Sequence, residues 1–328
     1  MRKELLWLGF AAFVFAGVAP HAQADTFPSK PFRFIVPFPA GGATDAAARA
    51  MQPQLEKLLG QTVVIENRAG AGAVIGLDVI AKSAPDGYTF GIGPAGALSV
   101  NPAMQVKMPF DVRRDLTPIS GLCETPFILA ASASYPANSL QEVIAQAKAS
   151  PGKLTIGHGG NGTSMFYAAL LFTTMADLKV GFVPYRGTVL VANDLIGGHI
   201  GLGIVDPPPS QAAILDGRIK GIAISSKRRA RFFPNIPTFD EQGLKGYEVG
   251  GWFGLVGPAG IPPDVLAKLN AAIVTSLKDP EVVQRIHDIG MEPRPMTPPE
   301  FGGLIDREID KITKVLAQAG DIPKDEPK

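Results

Sequence analysis

The stretch that decides the fold is "FRFIVPFPAGGATDAAAR", residues 32–49, in which a strand pattern turns directly into a helix pattern. Residues 32–36 are mostly β-branched or aromatic, which is typical of a buried strand. Two prolines and two glycines separate this strand from the helix pattern. A join of this kind leaves backbone N–H groups free at the start of the helix, which raises the question of what they hold.

The loop itself has the features of an anion site. Gly41 and Gly42 let a ligand approach the backbone closely. Thr44 or Asp45 is predicted to cap the helix, whose N terminus carries a partial positive charge. A carboxylate-sized anion could therefore bind here without Lys or Arg. Asp45 would be an anion beside an anion site, so we interpret it as a helix cap or as the holder of a bridging water. A structural turn without a ligand is the alternative.

Strand and helix patterns alternate along most of the chain, which predicts α/β architecture with helix-covered sheets. The predicted strands are residues 32–36, 62–66, 88–93, 126–132, 153–157, 180–185, 200–206, 219–225 and 247–258. The predicted helices are residues 46–59, 74–83, 140–149, 164–176, 188–197, 209–216, 263–278, 280–289 and 298–317.

A chain of 328 residues is long enough for two lobes. The first group of strands has too few helices to cover its sheet, so we expect the C-terminal helices to return to it. This predicts a discontinuous lobe 1, residues 25–125 plus 249–328, and a lobe 2, residues 126–248. Each lobe is predicted to be a mostly parallel sheet flanked by helices. The two crossovers would form a hinge beside a binding cleft.

The N terminus has the pattern of a secretory signal peptide. Arg2 and Lys3 precede an apolar run at residues 5–18, and a small-residue cleavage motif ends at Ala24. The run is shorter than the ~20 apolar residues that a membrane span needs, and no later segment is apolar enough. We therefore predict that residues 1–24 are removed on export and that the mature chain has no stable membrane insertion.

Composition excludes several classes of function. The chain has 31 Lys and Arg residues and 30 Asp and Glu residues, which argues against nucleic-acid binding. The basic run at residues 227–231 is interpreted as a solvated loop face. Cys123 is the single cysteine, so no internal disulfide can form, and its apolar neighbours predict a small buried side chain.

Catalytic, cofactor and metal motifs are missing from the sequence. The Gly-rich segment at residues 159–164 lacks the Lys of a phosphate-binding loop. No nucleophile elbow and no paired Cys or His spacing for a metal occurs. His158, His199 and His287 stand apart from one another. We therefore predict no enzyme activity, no cofactor and no metal.

The second lobe is predicted to contain the same kind of Gly-rich loop between a strand and a helix as the first. "HGGNGTS", residues 158–164, joins a predicted strand to a predicted helix, and "GPAGALSVNP", residues 93–102, follows another strand. Ligands of open α/β sheets bind outside the carboxyl ends of the strands, where all three loops are expected to lie. Two facing helix N termini, one from each lobe, would hold the two ends of a small acid.

Six segments, in their sequence and in their order along the chain, resemble those of one family. The segments are "PSKPFRFIVPFPAGGATDAAAR", "LGQTVVIENRAGAGAVIG", "APDGYTFGIG", "PGKLTIGHGGNGTS", "VPYRG" and "YEVGGWFGLVGPAG". Together they resemble the tripartite tricarboxylate transporter receptors, the Bug-type periplasmic solute-binding proteins, over about residues 28–319. The resemblance implies a two-lobed, type II-like periplasmic binding protein fold that closes on a small carboxylate. It also implies delivery of that carboxylate to a membrane permease of the tripartite transporter.

The resemblance also implies which residues bind the ligand. In that family the first loop and the Gly-rich loop of the second lobe hold a carboxylate through backbone groups and ordered waters. The matching positions are Phe38, Ala40, Gly42, Ala43, Thr44 and Asp45 in the first loop, and Asn161, Gly162, Thr163 and Ser164 in the second. Pro94, Ala95, Gly96, Ala97 and Asp206 would line the cleft as well.

The sequence departs from the family pattern after "GNGTS". The family usually continues with a polar residue and His, whereas this chain continues with Met165 and Phe166. Ala95 and Ala97 are also apolar where hydroxyls are common. Our hypothesis is that Phe166 faces a ligand whose far end is apolar or aromatic, so that a monocarboxylate or an aromatic carboxylate binds better than citrate. The alternative is that Met165 and Phe166 face the core.

Two other functions remain open from the sequence. The same fold could serve as a ligand-sensing module for a two-component kinase. An exported α/β enzyme acting on a small organic acid is the other, although the missing pair of nucleophile and base counts against it.

Overall fold

The protein is described by a computed structural model over residues 27–319. The predicted signal peptide and its cleavage site lie outside these residues. Within residues 27–319, no helix has the length and apolar character that crossing a membrane would require.

The elements alternate much as the sequence predicts. The strands are β1 (Phe32–Val36), β2 (Val63–Asn67), β3 (Thr89–Pro94), β4 (Leu116–Pro126), β5 (Ile128–Ser132), β6 (Thr155–His158), β7 (Gly181–Pro184), β8 (Leu202–Val205), β9 (Ile219–Ile224), β10 (Gly250–Pro258) and β11 (Glu292–Pro293). The longer helices are α1 (Ala43–Leu59), α2 (Val74–Ala81), α5 (Leu140–Ala149), α6 (Ser164–Met175), α7 (Thr188–Ile196), α8 (Pro207–Leu215), α9 (Pro263–Lys278), α10 (Pro280–Asp288) and α11 (Pro298–Ala319). The short ones are α3 (Asn101–Ala103) and α4 (Val112–Asp115), together with a 3₁₀ turn (Ala71–Ala73) and a π-helical turn (Gly96–Val100).

The strands form two sheets, each flanked by helices. The first sheet has the order β11-β4-β10-β3-β1-β2 and the second has the order β7-β6-β8-β5-β9. Both are mixed, so the prediction of mostly parallel sheets is wrong. In the first sheet β1 is parallel to β2 and β3, whereas β10 is antiparallel to β3 and β4. In the second sheet β6 is parallel to β7 and β8, whereas β5 is antiparallel to β8 and β9.

The C-terminal helices return to the first sheet, as the sequence predicts. One apolar core joins Phe34 of β1 and Met51 of α1 to Leu269 of α9 and Ile286 of α10, all of them fully buried. Burial of such side chains is the main source of stability for both lobes, since the described residues contain no disulfide. The chain leaves the first sheet between β4 and β5 and returns between β9 and β10.

A buried serine ties the two crossing segments together. The Phe127 N–H donates to the Ser225 Oγ at 2.8 Å, and the Ser225 N–H donates to the Phe127 carbonyl at 2.8 Å. The Ser225 hydroxyl in turn donates to the Val249 carbonyl. Both crossovers are therefore fixed to the same residue, so a rotation of one lobe relative to the other must involve both segments.

Candidate ligand-binding site

The first loop ends in a helix start without a side-chain cap. Helix α1 has Gly42 as its N-cap residue, and no side chain accepts a hydrogen bond there. The first helical bond runs from the Ala46 N–H to the Gly42 carbonyl at 2.9 Å. The prediction that Thr44 or Asp45 caps this helix is therefore wrong, because both residues lie inside its first turn. The N–H groups of residues 43–45, in the first turn of the helix, remain available for an anion.

Asp45 holds the first loop from behind. Its Oδ2 accepts hydrogen bonds from the Gly41 N–H at 3.0 Å and from the Arg49 Nε at 2.8 Å. Its Oδ1 accepts from the Asn67 Nδ2 at 3.0 Å, and Asn67 also donates to the Phe38 carbonyl. Burial pushes the pKa of Asp45 upwards, but these hydrogen bonds outweigh burial and leave the pKa below its ordinary value. The charge is thus already compensated, which explains an acidic residue beside an anion site.

We expect Asp45→Asn to destabilise the protein by about 1–2 kcal/mol at pH 7, because charge-assisted hydrogen bonds are lost. A lowered folded-state pKa stabilises above the unfolded pKa of ~3.9, so the difference from wild type should disappear as pH falls below that value. Urea unfolding between pH 3 and pH 7 measures it. Asp306→Asn, which breaks an exposed ion pair with Arg113, is the control and should change stability by less than about 0.5 kcal/mol. Equal effects of the two variants would contradict the assigned role.

The second loop is built on glycines and a capped helix. Thr163 is the N-cap residue of α6, and its Oγ1 accepts from the Phe166 N–H at 3.2 Å. The same hydroxyl donates to the Gly160 carbonyl at 2.7 Å. Gly160 and Gly162 have φ values of 123° and 72°, which other residues rarely adopt. The loop is therefore held in one conformation by its own backbone and by Thr163.

The loops of the two lobes touch. A Cβ added to Gly96 would lie 2.8 Å from both the Gly162 carbonyl oxygen and the Thr163 Cα, on the opposite lobe. A Cβ added to Gly72 would lie 2.6 Å from the Asn161 carbonyl oxygen. Backbone from each lobe therefore approaches the other as closely as glycine allows.

Two partly open cavities lie between the lobes. The larger, the inner cavity, has a volume of about 100 Å³. It is lined by Phe38, Pro39, Gly42, Ala43, Thr44, Met165, Arg186, Gly187, Thr188, Val189, Leu190, Asp206 and Phe253. A smaller cavity of about 20 Å³ is lined by Phe38, Gly72, Pro94, Ala95, Gly96, Phe127, Thr163, Ser164, Met165, Gly251, Trp252 and Phe253. Phe38, Met165 and Phe253 line both, so an apolar wall joins the two spaces.

The structure brings most of the predicted site residues to these cavities. The predicted residues that line the inner cavity are Phe38, Gly42, Ala43, Thr44 and Asp206. Those that line the smaller cavity are Phe38, Pro94, Ala95, Gly96, Thr163 and Ser164. The predicted residues that line neither are Ala40, Asp45, Ala97, Asn161, Gly162 and Phe166. Ligand contact by any of them stays a prediction.

Phe166 packs inside the second lobe. Its ring centroid lies 4.9 Å from that of His158 and 5.5 Å from that of Phe182, and the side chain is buried. This arrangement favours the alternative in which Phe166 faces the core. Met165, its neighbour, lines both cavities and is the apolar residue that this part of the sequence supplies to them.

The sequence predicts a helix over residues 188–197, where α7 lies, but the start of this helix was not predicted to be part of the site. Gly187, with φ 116°, is the N-cap residue of this helix and has no side-chain cap. Thr188, Val189 and Leu190 follow it along the wall of the inner cavity, and Arg186 precedes it. The signal was present in the sequence, because a glycine between a strand and a helix also marks the first two loops. Trp252 lines the smaller cavity and Phe253 lines both.

Asp206 is a buried acid at the carboxyl end of β8. It is 1 % exposed, and its Oδ1 accepts a hydrogen bond from the Thr188 hydroxyl at 2.7 Å. Burial raises its pKa to about 6, although the bond from Thr188 acts in the opposite direction. Asp206 is also the N-cap residue of α8, which begins with three prolines at residues 207–209. Because proline has no N–H, the start of this helix cannot hold an anion as α1 can.

Other candidate groups do not form a site. Cys123 is buried, which raises the pKa of its thiol, and its Sγ lies 3.4 Å from the Met291 Sδ. Over residues 27–319, no three His, Cys, Asp or Glu side chains are grouped so as to hold a metal ion. The basic run at residues 227–231 lines an open groove of about 610 Å³ beside the crossovers, and Arg229 pairs there with Glu241. Its assignment as a solvated face stays a prediction.

Comparison with known proteins agrees with the geometry. Residues 47–320 match the family model described as the tripartite tricarboxylate transporter family receptor. The chain is 35% identical to BugT of Bordetella pertussis over 306 residues, which covers 93% of this chain and 94% of BugT.

Two solved structures of relatives contain a carboxylate. Rpa4515 of R. palustris with adipate has a TM-score of 0.86 and 31% identity, over 90% of this chain and 98% of that one. MatC of Rhodopseudomonas palustris with bound malate has a TM-score of 0.84 and 31% identity, over 88% of this chain and 100% of that one. The conclusion follows from the matched family model, the related sequence and the shared two-sheet fold: this chain belongs to the tripartite tricarboxylate transporter receptors, a family of periplasmic solute-binding proteins.

Proposed function

We propose that this protein is a periplasmic receptor that captures a small carboxylate between its lobes and delivers it to a membrane permease of the tripartite transporter. One observation carries the proposal: helices α1, α6 and α7 all begin at the walls of the two cavities between the lobes. Each helix start carries a partial positive charge, which makes the space between them a site for an anion.

The helix starts at the inner cavity suit one carboxylate group. Each helix start contributes about 0.3–1 kcal/mol to holding an anion, so several must act together. Arg186 adds a cationic side chain, exposed at its side of the cavity. The carboxylates present in two related structures, adipate and malate, support the same chemical class for this chain.

The rest of the ligand would meet an apolar surface. Phe38, Met165 and Phe253 line both cavities, so the space beside the carboxylate offers few hydrogen-bonding partners. A cavity of about 100 Å³ limits the ligand to a small molecule. We therefore keep the hypothesis of an apolar or aromatic far end, with Met165 in the place of Phe166.

Closure of the lobes is the proposed basis of delivery. We propose lobe limits of residues 25–125 plus 249–328 and of residues 126–248, with the hinge at the segments joined by Ser225. In the closed form the loops of both lobes are in contact, which gives a permease a surface that exists only when ligand is bound.

Thermal unfolding against a panel of carboxylates tests the proposal. A ligand that binds only the folded state at a hundredfold excess over Kd adds ~2.7 kcal/mol of stability, and the midpoint should rise by several degrees. Protein refolded from denaturant is the control, because it has lost any ligand carried through purification. If no acid raises the midpoint, the receptor proposal is wrong. If citrate raises the unfolding midpoint more than benzoate does, the hypothesis of an apolar or aromatic far end of the ligand is wrong.

A further inference from the structure

The inner cavity contains an acid where the bound anion should be. Asp206 is 1 % exposed and lines the same cavity as the uncapped starts of α1 and α7. A ligand carboxylate placed beside an ionised Asp206 would be repelled, because like charges disfavour each other strongly at short range. A simple carboxylate is therefore an incomplete match to this cavity.

The surrounding protein does not neutralise Asp206. Thr188 supplies one hydroxyl donor to Oδ1 and the backbone of Asp206 supplies a second, while no other side chain in residues 27–319 donates to this carboxylate. The start of α8 contributes no N–H from residues 207–209 because they are prolines. Arg186 is the one cationic side chain among the described residues that line the cavity, and it makes no ion pair with Asp206.

A carboxylate can accept about four hydrogen bonds, so Asp206, which accepts one from Thr188 and one from its own backbone, can still accept from a donor that comes from elsewhere. In a receptor that closes around its ligand, the ligand is the group that arrives last and fills the remaining space. We propose that the ligand carries a hydrogen-bond donor, a hydroxyl or an ammonium group, close to its carboxylate, and that Asp206 accepts from it. This inference rests on the proposed receptor function and narrows the class of acid to 2-hydroxy or 2-amino acids.

Thr44 completes the arrangement on the opposite lobe. Its Oγ1 is buried and has no hydrogen-bond partner within the described part of the chain. It lies in the first turn of α1, next to the N–H groups that would hold the carboxylate. The Thr44 hydroxyl is thus placed to donate to the ligand carboxylate while Asp206 accepts from the neighbouring donor. The first lobe would bind the carboxylate of the ligand, and the second lobe would bind its donor group.

The test compares acids that differ only in the donor. On the carbon skeleton that gives the largest thermal shift, three acids are titrated by calorimetry: for four carbons, succinate, malate and aspartate. We expect the hydroxy or the amino acid to bind about 10–100-fold more tightly than the plain acid, because a donor pairs with Asp206 only in those. Tighter binding of the hydroxy acid identifies a hydroxyl as the donor, and tighter binding of the amino acid identifies an ammonium group.

Asp206→Asn then assigns the preference to this residue. The variant should bind the plain acid more tightly than wild type does, because repulsion is removed, and the donor-bearing acid about tenfold or more weakly. Asp216→Asn is the matched control, since it removes the same charge at the exposed far end of α8 and should keep the wild-type order.

The outcomes separate the two proposals. If the wild-type protein binds the plain acid as tightly as the hydroxy and amino acids, the inference about Asp206 is overturned while the receptor function stands. The same follows if Asp206→Asn keeps the wild-type preference. If no acid of any kind binds, the receptor function itself falls, and the inference falls with it.

Discussion

Gly96→Val is expected to weaken carboxylate binding by about 100-fold or more while both lobes stay folded. A Cβ at this position would lie 2.8 Å from the Gly162 carbonyl oxygen and 2.9 Å from the Ser164 N. These are backbone atoms of the opposite lobe, which cannot rotate away as a side chain can. The two methyl groups of Val extend the overlap, so the lobes cannot reach the closed conformation.

The expected loss follows from the population of the closed form. The apparent Kd of a ligand rises in proportion as the binding-competent conformation becomes rarer, and a penalty of ~2.7 kcal/mol on closure corresponds to about 100-fold. Folding of the separate lobes does not need this contact, because Gly96 meets the second lobe only across the cleft. The midpoint of thermal unfolding without ligand should therefore change by at most a few degrees.

Calorimetric titration of the strongest acid in the panel measures the loss, and small-angle scattering checks whether the ligand still makes the protein more compact. Gly250→Val is the matched control, because a Cβ there meets only the Thr125 carbonyl oxygen at 3.7 Å, an ordinary contact. Wild-type affinity in the Gly96 variant would show that ligand binding does not require the approach of these two loops.

Much of the fold follows from local sequence patterns. The apolar run at residues 32–36 and the helix that ends before Gly60 lie where they are predicted, since burial and a left-handed C-terminal glycine fix them locally. Strand β4 was missed, because Pro118 and Gly121 interrupt its pattern. Its pairing with β10 includes two register shifts and depends on residues more than 100 positions away. The prediction of mostly parallel sheets was wrong for the same reason, because tertiary contacts decide which strands pair and in which direction.

The candidate site divides in the same way. Loops that start helices could be located from Gly, Pro and hydroxyl residues, so Gly42, Thr44 and Thr163 were found. The direction in which each side chain points could not be predicted, because one step along a helix turns a residue by about 100°. That step separates Met165, which lines the cavities, from Phe166, which packs against His158. Arg186 and Leu190 flank the start of α7, which approaches the first loop only in the folded chain: a Cβ added to Gly187 would lie 3.6 Å from the Pro39 Cδ.

Asp206→Asn is expected to make the ligand-free protein more stable at pH 7, by up to about 2–3 kcal/mol. Burial raises the pKa of Asp206 to about 6 in the folded protein, against ~3.9 in an unfolded chain. The folded state therefore binds this proton more tightly than the unfolded state does. Each unit of difference is worth about 1.36 kcal/mol, so two units set the upper limit.

The sign of the pH dependence follows from this difference. A raised carboxyl pKa brings no penalty below the unfolded value of ~3.9, and the penalty grows as pH rises until it is complete above about 6. Wild type and Asp206→Asn should then be almost equally stable near pH 4 and should diverge up to pH 7. In the proposed open form Asp206 would be hydrated and part of the free-energy penalty relieved, which is why the stated gain is a maximum.

Thermal and urea unfolding of ligand-free protein at pH 4, 5, 6 and 7 measure the divergence. Asp216→Asn should give curves parallel to those of wild type, because that carboxyl is exposed. A variant at position 206 that is less stable than wild type at pH 7 would mean that the charged form is stabilised by the protein, and the cavity would then not require a donor from its ligand. A gain in stability together with a loss of preference for hydroxy or amino acids is the combination expected of a binding residue, since the receptor keeps a destabilising group that only its ligand satisfies.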